Sequence, residues 1–115
     1  MIRDTVTRIC TALPGSGCSE PFGPGTDVWK VGGKVFACIG SDNSGVSVKT
    51  PDAETAQMLI EAGAGSRAPY FHRSWLHLPL DAPEDELRHR VCASYDLIRA
   101  SLTKKAQAQL PPRGD

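Results

Sequence analysis

The side chains best suited to meeting a phosphate are Lys30, Lys34, Lys49, Arg67 and Arg73, with His72 beside the last. Lys34 directly follows Gly32-Gly33, where a hairpin tip is expected, and Arg67 to Arg73 bracket a short connecting loop. Cations on a hairpin and a neighbouring loop can touch a phosphate backbone, giving affinity with little reading of bases. DNA is therefore one expected partner, bound weakly and released steeply as salt rises. The opposing reading is that Lys30 and Lys34 are ordinary strand charges that keep edges from aggregating. With 13 Lys and Arg against 13 Asp and Glu the formal net charge is +0, so phosphate would have to meet a local patch.

A second set is aromatic. Trp29, Tyr70, Phe71 and Trp75 are placed to line the mouth of a concave sheet surface, which would suit a protein or a small ligand. Aromatics more often fill the space between a sheet and its helices, a reading that suits Trp75 best. Tyr70 and Phe71 fall in a loop, where binding residues concentrate.

Other chemistry finds little support. His72 and His77, with Cys38 or Asp81 nearby, match no standard metal-ligand spacing, so neither a metal nor a cofactor is expected. Cys10, Cys18, Cys38 and Cys92 contain no C-x-x-C pair and read as small buried apolar groups. Gly23-Pro24-Gly25 lacks the following Gly-Lys-Ser/Thr of a phosphate-binding loop. Ser, Cys and His are present, but no motif links a nucleophile to a base and its orienting group. A binding protein, not an enzyme, is the expectation.

These residues need elements to hold them. Ile2, Val6, Ile9, Cys10 and Leu13 recur on one face of a helix over residues 3–13, which Pro14-Gly15 stops. A short edge piece over residues 17–21 precedes strands over 27–31 and 34–39, joined by the tight turn that Gly32-Gly33 permits. Strict alternation would place Val35, Ala37 and Ile39 on one face and Phe36 and Cys38 on the other. After the turn cluster 40–45 comes a strand over 46–49, then a helix capped by Thr50 with Pro51 first and Gly63 and Gly65 beyond its end. Its apolar face is Ala53, Ala56, Leu59, Ile60 and Ala64. Residues 66–73 read as an irregular connection and 74–80 as a last strand. Asp81 and Glu84 have capping-box spacing before a long helix that places Leu87, Val91, Tyr95, Ile98 and Leu102 on one face.

The 115 residues suffice for one domain with one core, expected over residues 1–103, followed by a frayed tail over 104–115 that contains Pro111-Pro112. The element order implies an α+β fold, an antiparallel sheet with helices packed on one face. No apolar run is long enough to span a membrane. Residues 1–6 lack the basic-then-apolar pattern of a signal peptide, so a cytoplasmic protein is expected.

Four segments stand in order along the chain: Ala12-Leu13-Pro14-Gly15; Phe22-Gly23 with the run from Val28 to Ala37; Val48-Lys49 entering a helix; and Pro69-Tyr70, Trp75 and Leu80-Asp81 followed by Leu87 and Ser94-Tyr95. In order and spacing together they resemble the MmcQ/YjbR family over residues 2–102. The resemblance implies a frataxin-like (CyaY-like) α+β fold, described in the family as a double-wing DNA-binding module, with no enzymatic activity firmly attached. The chain departs from that pattern after Tyr70, where members commonly carry a longer, more basic loop and this one has Phe71-His72-Arg73-Ser74. Frataxin-like iron binding needs an acidic ridge. The matching region offers only Asp4, Glu20 and Asp27, opposed by Arg3 and Arg8, so no iron site is expected.

Overall fold

The computed structural model describes residues 2–113; the ends of the 1–103 and 104–115 assignments at Met1, Gly114 and Asp115 lie outside the described residues. Gly32 and Gly33 both take positive φ, 57° and 83°, the conformation a two-residue type I′ turn requires. They join β2 (Asp27–Val31) to β3 (Lys34–Ile39). Around this hairpin lie β1 (Ser16–Ser19), β4 (Val46–Lys49), β5 (Ser66–Arg67) and β6 (Trp75–Leu78). All neighbours pair antiparallel, in the order β1-β2-β3-β4-β6-β5.

One face of this sheet carries α1 (Asp4–Thr11), α2 (Ala53–Glu61) and α3 (Glu84–Ala100), followed by the short α4 (Lys104–Ala108). Val6, Ile9, Leu87, Val91 and Tyr95 from the helices meet Trp29, Val31, Ile39, Val46, Val48, Leu76 and Leu78 from the strands in a single core. The α+β expectation, with helices on one face of an antiparallel sheet, holds.

The register carries an irregularity that alternation alone does not reveal. Trp29 pairs with Ala37 while Lys30 pairs with Val35, so Phe36 is an extra residue in β3. This bulge turns Phe36 into the core, where its ring meets Tyr95 edge-on at 5.3 Å. Val35 moves to the opposite, helix-free face beside Cys38. The expected grouping of Val35 with Ala37 and Ile39, and of Phe36 with Cys38, is thus corrected. Ser94 on α3 secures the bulge: its hydroxyl donates to the Phe36 carbonyl at 2.7 Å and accepts the Lys49 amide at 2.8 Å.

Several boundaries also differ from expectation. Asp52 caps α2, accepting the Thr55 amide at 2.7 Å. Thr50 turns inward and its hydroxyl donates to the Ser74 carbonyl at 2.6 Å, because its buried backbone is tied to the start of β6. The capping box of Asp81 and Glu84 does not form, since α3 starts at Glu84 after Pro83, whose fixed φ suits helix entry. Ile2 precedes α1 and stays exposed. Residues 66–67 form a two-residue edge strand, too short to leave a periodic signal. The tail expected to fray contains α4, capped by Thr103, with Ala106 and Leu110 packed on the core.

Candidate functional site

With its helices on one side, the sheet leaves its other face to the loops. Residues opposite one another on β3, β4 and β6 form a strip there: Cys38 pairs with Ser47, and Ser47 with His77. Their strand neighbours Ala37, Val46, Val48, Leu76 and Leu78 point into the core. The strip floors a groove of about 550 Å³, widened by Val28 and Val35 and walled by the loops that carry Phe22 and Tyr70-Phe71. Phe22 is 79 % exposed and Tyr70 fully exposed, leaving two large rings at the rim with little cover from the protein itself.

Tyr70 has φ +68°, a left-handed conformation that is unusual for a bulky side chain. Phe71 is held by stacking on Trp75, centroids 4.3 Å apart. Trp75 is buried, so the indole supports Phe71 from behind.

The polar end of the groove is a chain of hydrogen bonds. His77 Nδ1 lies 2.9 Å from Ser47 Oγ and its Nε2 lies 3.0 Å from Ser44 Oγ. The Ser44 amide donates to Asp42 Oδ1 at 3.0 Å. One polarity satisfies the neutral imidazole: Ser47 donates to Nδ1, and Nε2–H donates to Ser44 Oγ. Burial pushes the His77 pKa below its ordinary value, partly opposed by the Asp42 charge, so the ring is neutral at pH 7. Hydrogen bonds from the Ser44 amide and hydroxyl lower the Asp42 pKa and keep it ionised. Burial raises the Cys38 pKa and keeps it a thiol.

The loop carrying Asp42 and Ser44 is anchored from behind. The Arg3 guanidinium pairs with Asp27 at 3.0 Å, donates to the Gly40 carbonyl at 2.8 Å and bonds to Asn43 Oδ1. Gly45 lets this loop lie directly on the imidazole. A Cβ at that position would overlap the Leu78 carbonyl and sit 2.7 Å from His77 Nε2.

Of the aromatics expected at one mouth, the structure brings Tyr70 and Phe71 to the groove and keeps Trp75 behind them. Trp29 is separated from them, buried on the helix side of the sheet with its Nε1 unpaired among the described residues.

The cations are spread differently. Lys30, Lys49 and Arg67 lie on β2, β4 and β5, Lys34 follows the hairpin turn, and His72 and Arg73 precede β6. Three of them are committed to protein acceptors. Lys49 Nζ donates to the Thr50 carbonyl and to Ser74 Oγ, both at 2.8 Å. Arg67 Nη1 donates to the Ala68 carbonyl at 2.8 Å. Lys34 Nζ reaches Ser101 Oγ at 3.3 Å. His72 Nδ1 accepts from the Ser74 amide at 3.1 Å. Arg73 is exposed.

Sequence reasoning missed Phe22, Val28, Val35, Asp42, Ser44 and Ser47 as groove residues. The signal was there in part: Val46-Ser47-Val48 and Leu76-His77-Leu78 each place one polar residue on the face opposite two aliphatic ones. Only the β4–β6 pairing shows that these polar residues are neighbours.

Among the described residues no group of three or more His, Cys, Asp or Glu could hold a metal ion, and no helix is long and apolar enough to cross a membrane. The chain is 28 % identical to Uncharacterized protein YbdF of Escherichia coli O157:H7, over 96 % of this chain and 95 % of that protein. Its fold is similar to the crystal structure of Deinococcus radiodurans protein DR2400, a DUF419 domain, with a TM-score of 0.81 and 24 % identity over 92 % of this chain and 85 % of that one. The sequence pattern of the YjbR family matches residues 11–97, and on that match the chain belongs to the YjbR family.

Proposed function

We propose that this domain is a binding module whose site is the groove on the helix-free face, taking a small ligand with an aromatic or aliphatic body. One observation carries this reading: a groove of about 550 Å³ has a mostly apolar lining, two exposed aromatic rings at its rim and hydrogen-bonding groups gathered at one end. Small-ligand sites combine that volume range, an apolar lining and few convergent polar groups. The left-handed backbone at Tyr70 adds to it, because such conformations persist where surrounding structure enforces them, often at ligand clamps.

A DNA role through Lys30, Lys34, Lys49, Arg67, His72 and Arg73 ranks behind it. Lys49 and Arg67 already satisfy protein carbonyls, and repositioning them onto phosphate would break those bonds.

The test is an amide-resolved NMR screen of neutral aromatic fragments against the protein and a Cys38→Phe variant, which fills the groove floor. Shifts clustered at Val35, Cys38, Ser47 and His77, lost in the variant, are expected. Shifts elsewhere, or equal binding by the variant, overturn the reading. Tight, salt-sensitive binding of a short duplex, lost on Lys34→Glu with Arg73→Glu, would instead establish the phosphate reading.

A further inference from the structure

The chain carries 13 Lys and Arg; none lines the groove, although Lys30 on β2 lies opposite Val35 beside it. Among the described residues, Asp42 is the one charged side chain in the lining, ionised and held in place by Ser44. His77 beside it is neutral at pH 7, because burial disfavours its charged form. Arg3 reaches the same loop from the α1 side, but Asp27, the Gly40 carbonyl and Asn43 take up its guanidinium. Phe22 and Tyr70 stand exposed at the rim, and Phe71 also lines the groove. A carboxylate at one end of an aromatic-walled apolar groove attracts a cation by its charge while the apolar walls take up the cation's body. The same arrangement repels phosphates and carboxylates.

Resting on the groove reading above, we propose that the ligand is an organic cation: an aromatic or aliphatic body carrying a protonated amine, with the ammonium at Asp42 and Ser44 and the body over Val28, Val35 and Cys38. Asp42 supplies the charge, and the Ser44 hydroxyl oxygen, held in place by His77, completes the hydrogen-bonding end. The Phe22 and Tyr70 rings cover the body.

Three probes of one shape test this: naphthylmethylamine, naphthylmethanol and naphthoate, titrated into the 15N-labelled full chain and into Asp42→Asn. The asparagine keeps the Oδ1 acceptor for the Ser44 amide, so the loop keeps its turn. Expected is that the amine binds tightest and the carboxylate weakest, all shifts centring on Cys38, Ser47 and His77. Asp42→Asn should weaken the amine about one-and-a-half- to fivefold and leave the alcohol unchanged, the range for a solvent-exposed ion pair. The amine's advantage should also shrink as salt rises. Alcohol and amine binding equally in the groove, with Asp42→Asn altering neither, overturns the cation and leaves the groove standing. A carboxylate that binds tightest overturns it too. No shift on the strip with any probe overturns the groove reading itself, and the cation with it.

Discussion

The Ser94 hydroxyl donates to the Phe36 carbonyl at 2.7 Å, tying the middle of α3 to the extra residue of β3. That bond links the core to the candidate site. Phe36 enters the core only because the bulge exists, and the same bulge delivers Val35 to the groove. Ser94 is fully buried, so its two hydrogen bonds are made away from water. Replacing Ser94 with Ala would leave the Phe36 carbonyl and the Lys49 amide without this partner. A loss of about 1–3 kcal/mol is expected, measured by urea denaturation. The amide shifts of Val35 and Lys49 should move with it, while those of α4 should not.

Gly45→Ala is expected to be more damaging than its size suggests. Its methyl would overlap the Leu78 carbonyl, a backbone atom at the end of β6, and crowd the imidazole. Overpacking of this kind costs about 1–3 kcal/mol. The denaturation midpoint should fall, and the His77 ring signals should shift as Ser44 loses its place.

Tyr70→Gly separates stability from binding. Glycine adopts φ +68° without the Cβ clash that tyrosine meets, which is worth about 1–2 kcal/mol. The greater freedom of glycine in the unfolded chain offsets part of that gain, by about 0.5–1 kcal/mol. The melting temperature should hold or rise, whereas fragment affinity should fall by severalfold through loss of the rim ring. A clear drop in melting temperature would show that Tyr70 is structural.

The His77 environment sets a pH dependence. Its folded pKa lies below the ordinary value of about 6.5, chiefly because burial disfavours the imidazolium. Between the two values the unfolded chain binds more protons than the folded one, so stability rises with pH in that window. The protein should therefore be most stable, as far as this group is concerned, above about 6.5, and lose stability as pH falls to the folded value. His77→Gln should remove that slope. The depressed carboxylates Asp42, Asp52 and Glu84 act only at lower pH, where they protonate. Melting temperatures taken across pH 5–8 for both proteins measure the difference.

How much of this was legible in the sequence depends on the scale of the signal. Gly32-Gly33 announced the hairpin, because few residues accept two positive φ angles in succession. The spacing of Leu87, Val91 and Tyr95 announced the face that α3 buries. The bulge at Phe36 was not legible: both flanking residues are apolar, so alternation fits either register. Nor was the sheet order, which places β6 between β4 and β5 through contacts remote in sequence. Tyr70 and Phe71 stood out as loop aromatics and do reach the groove. Trp29 stood out equally and lies in the core, because side-chain type does not say which face of a strand the helices cover. Lys49 and Arg67 looked available in a list of cations, whereas their partners are backbone carbonyls that no sequence pattern marks.

The most direct test of the groove is the alkylation rate of Cys38, the half-buried thiol on its floor, followed by mass spectrometry with and without a neutral aromatic fragment. Exposed Cys18 on β1 serves as an internal control, since it lies outside the groove lining. A bound fragment should slow Cys38 severalfold and leave Cys18 unchanged. Equal rates at Cys38 with and without a fragment that demonstrably binds would contradict the account, because the ligand would then sit elsewhere on the protein.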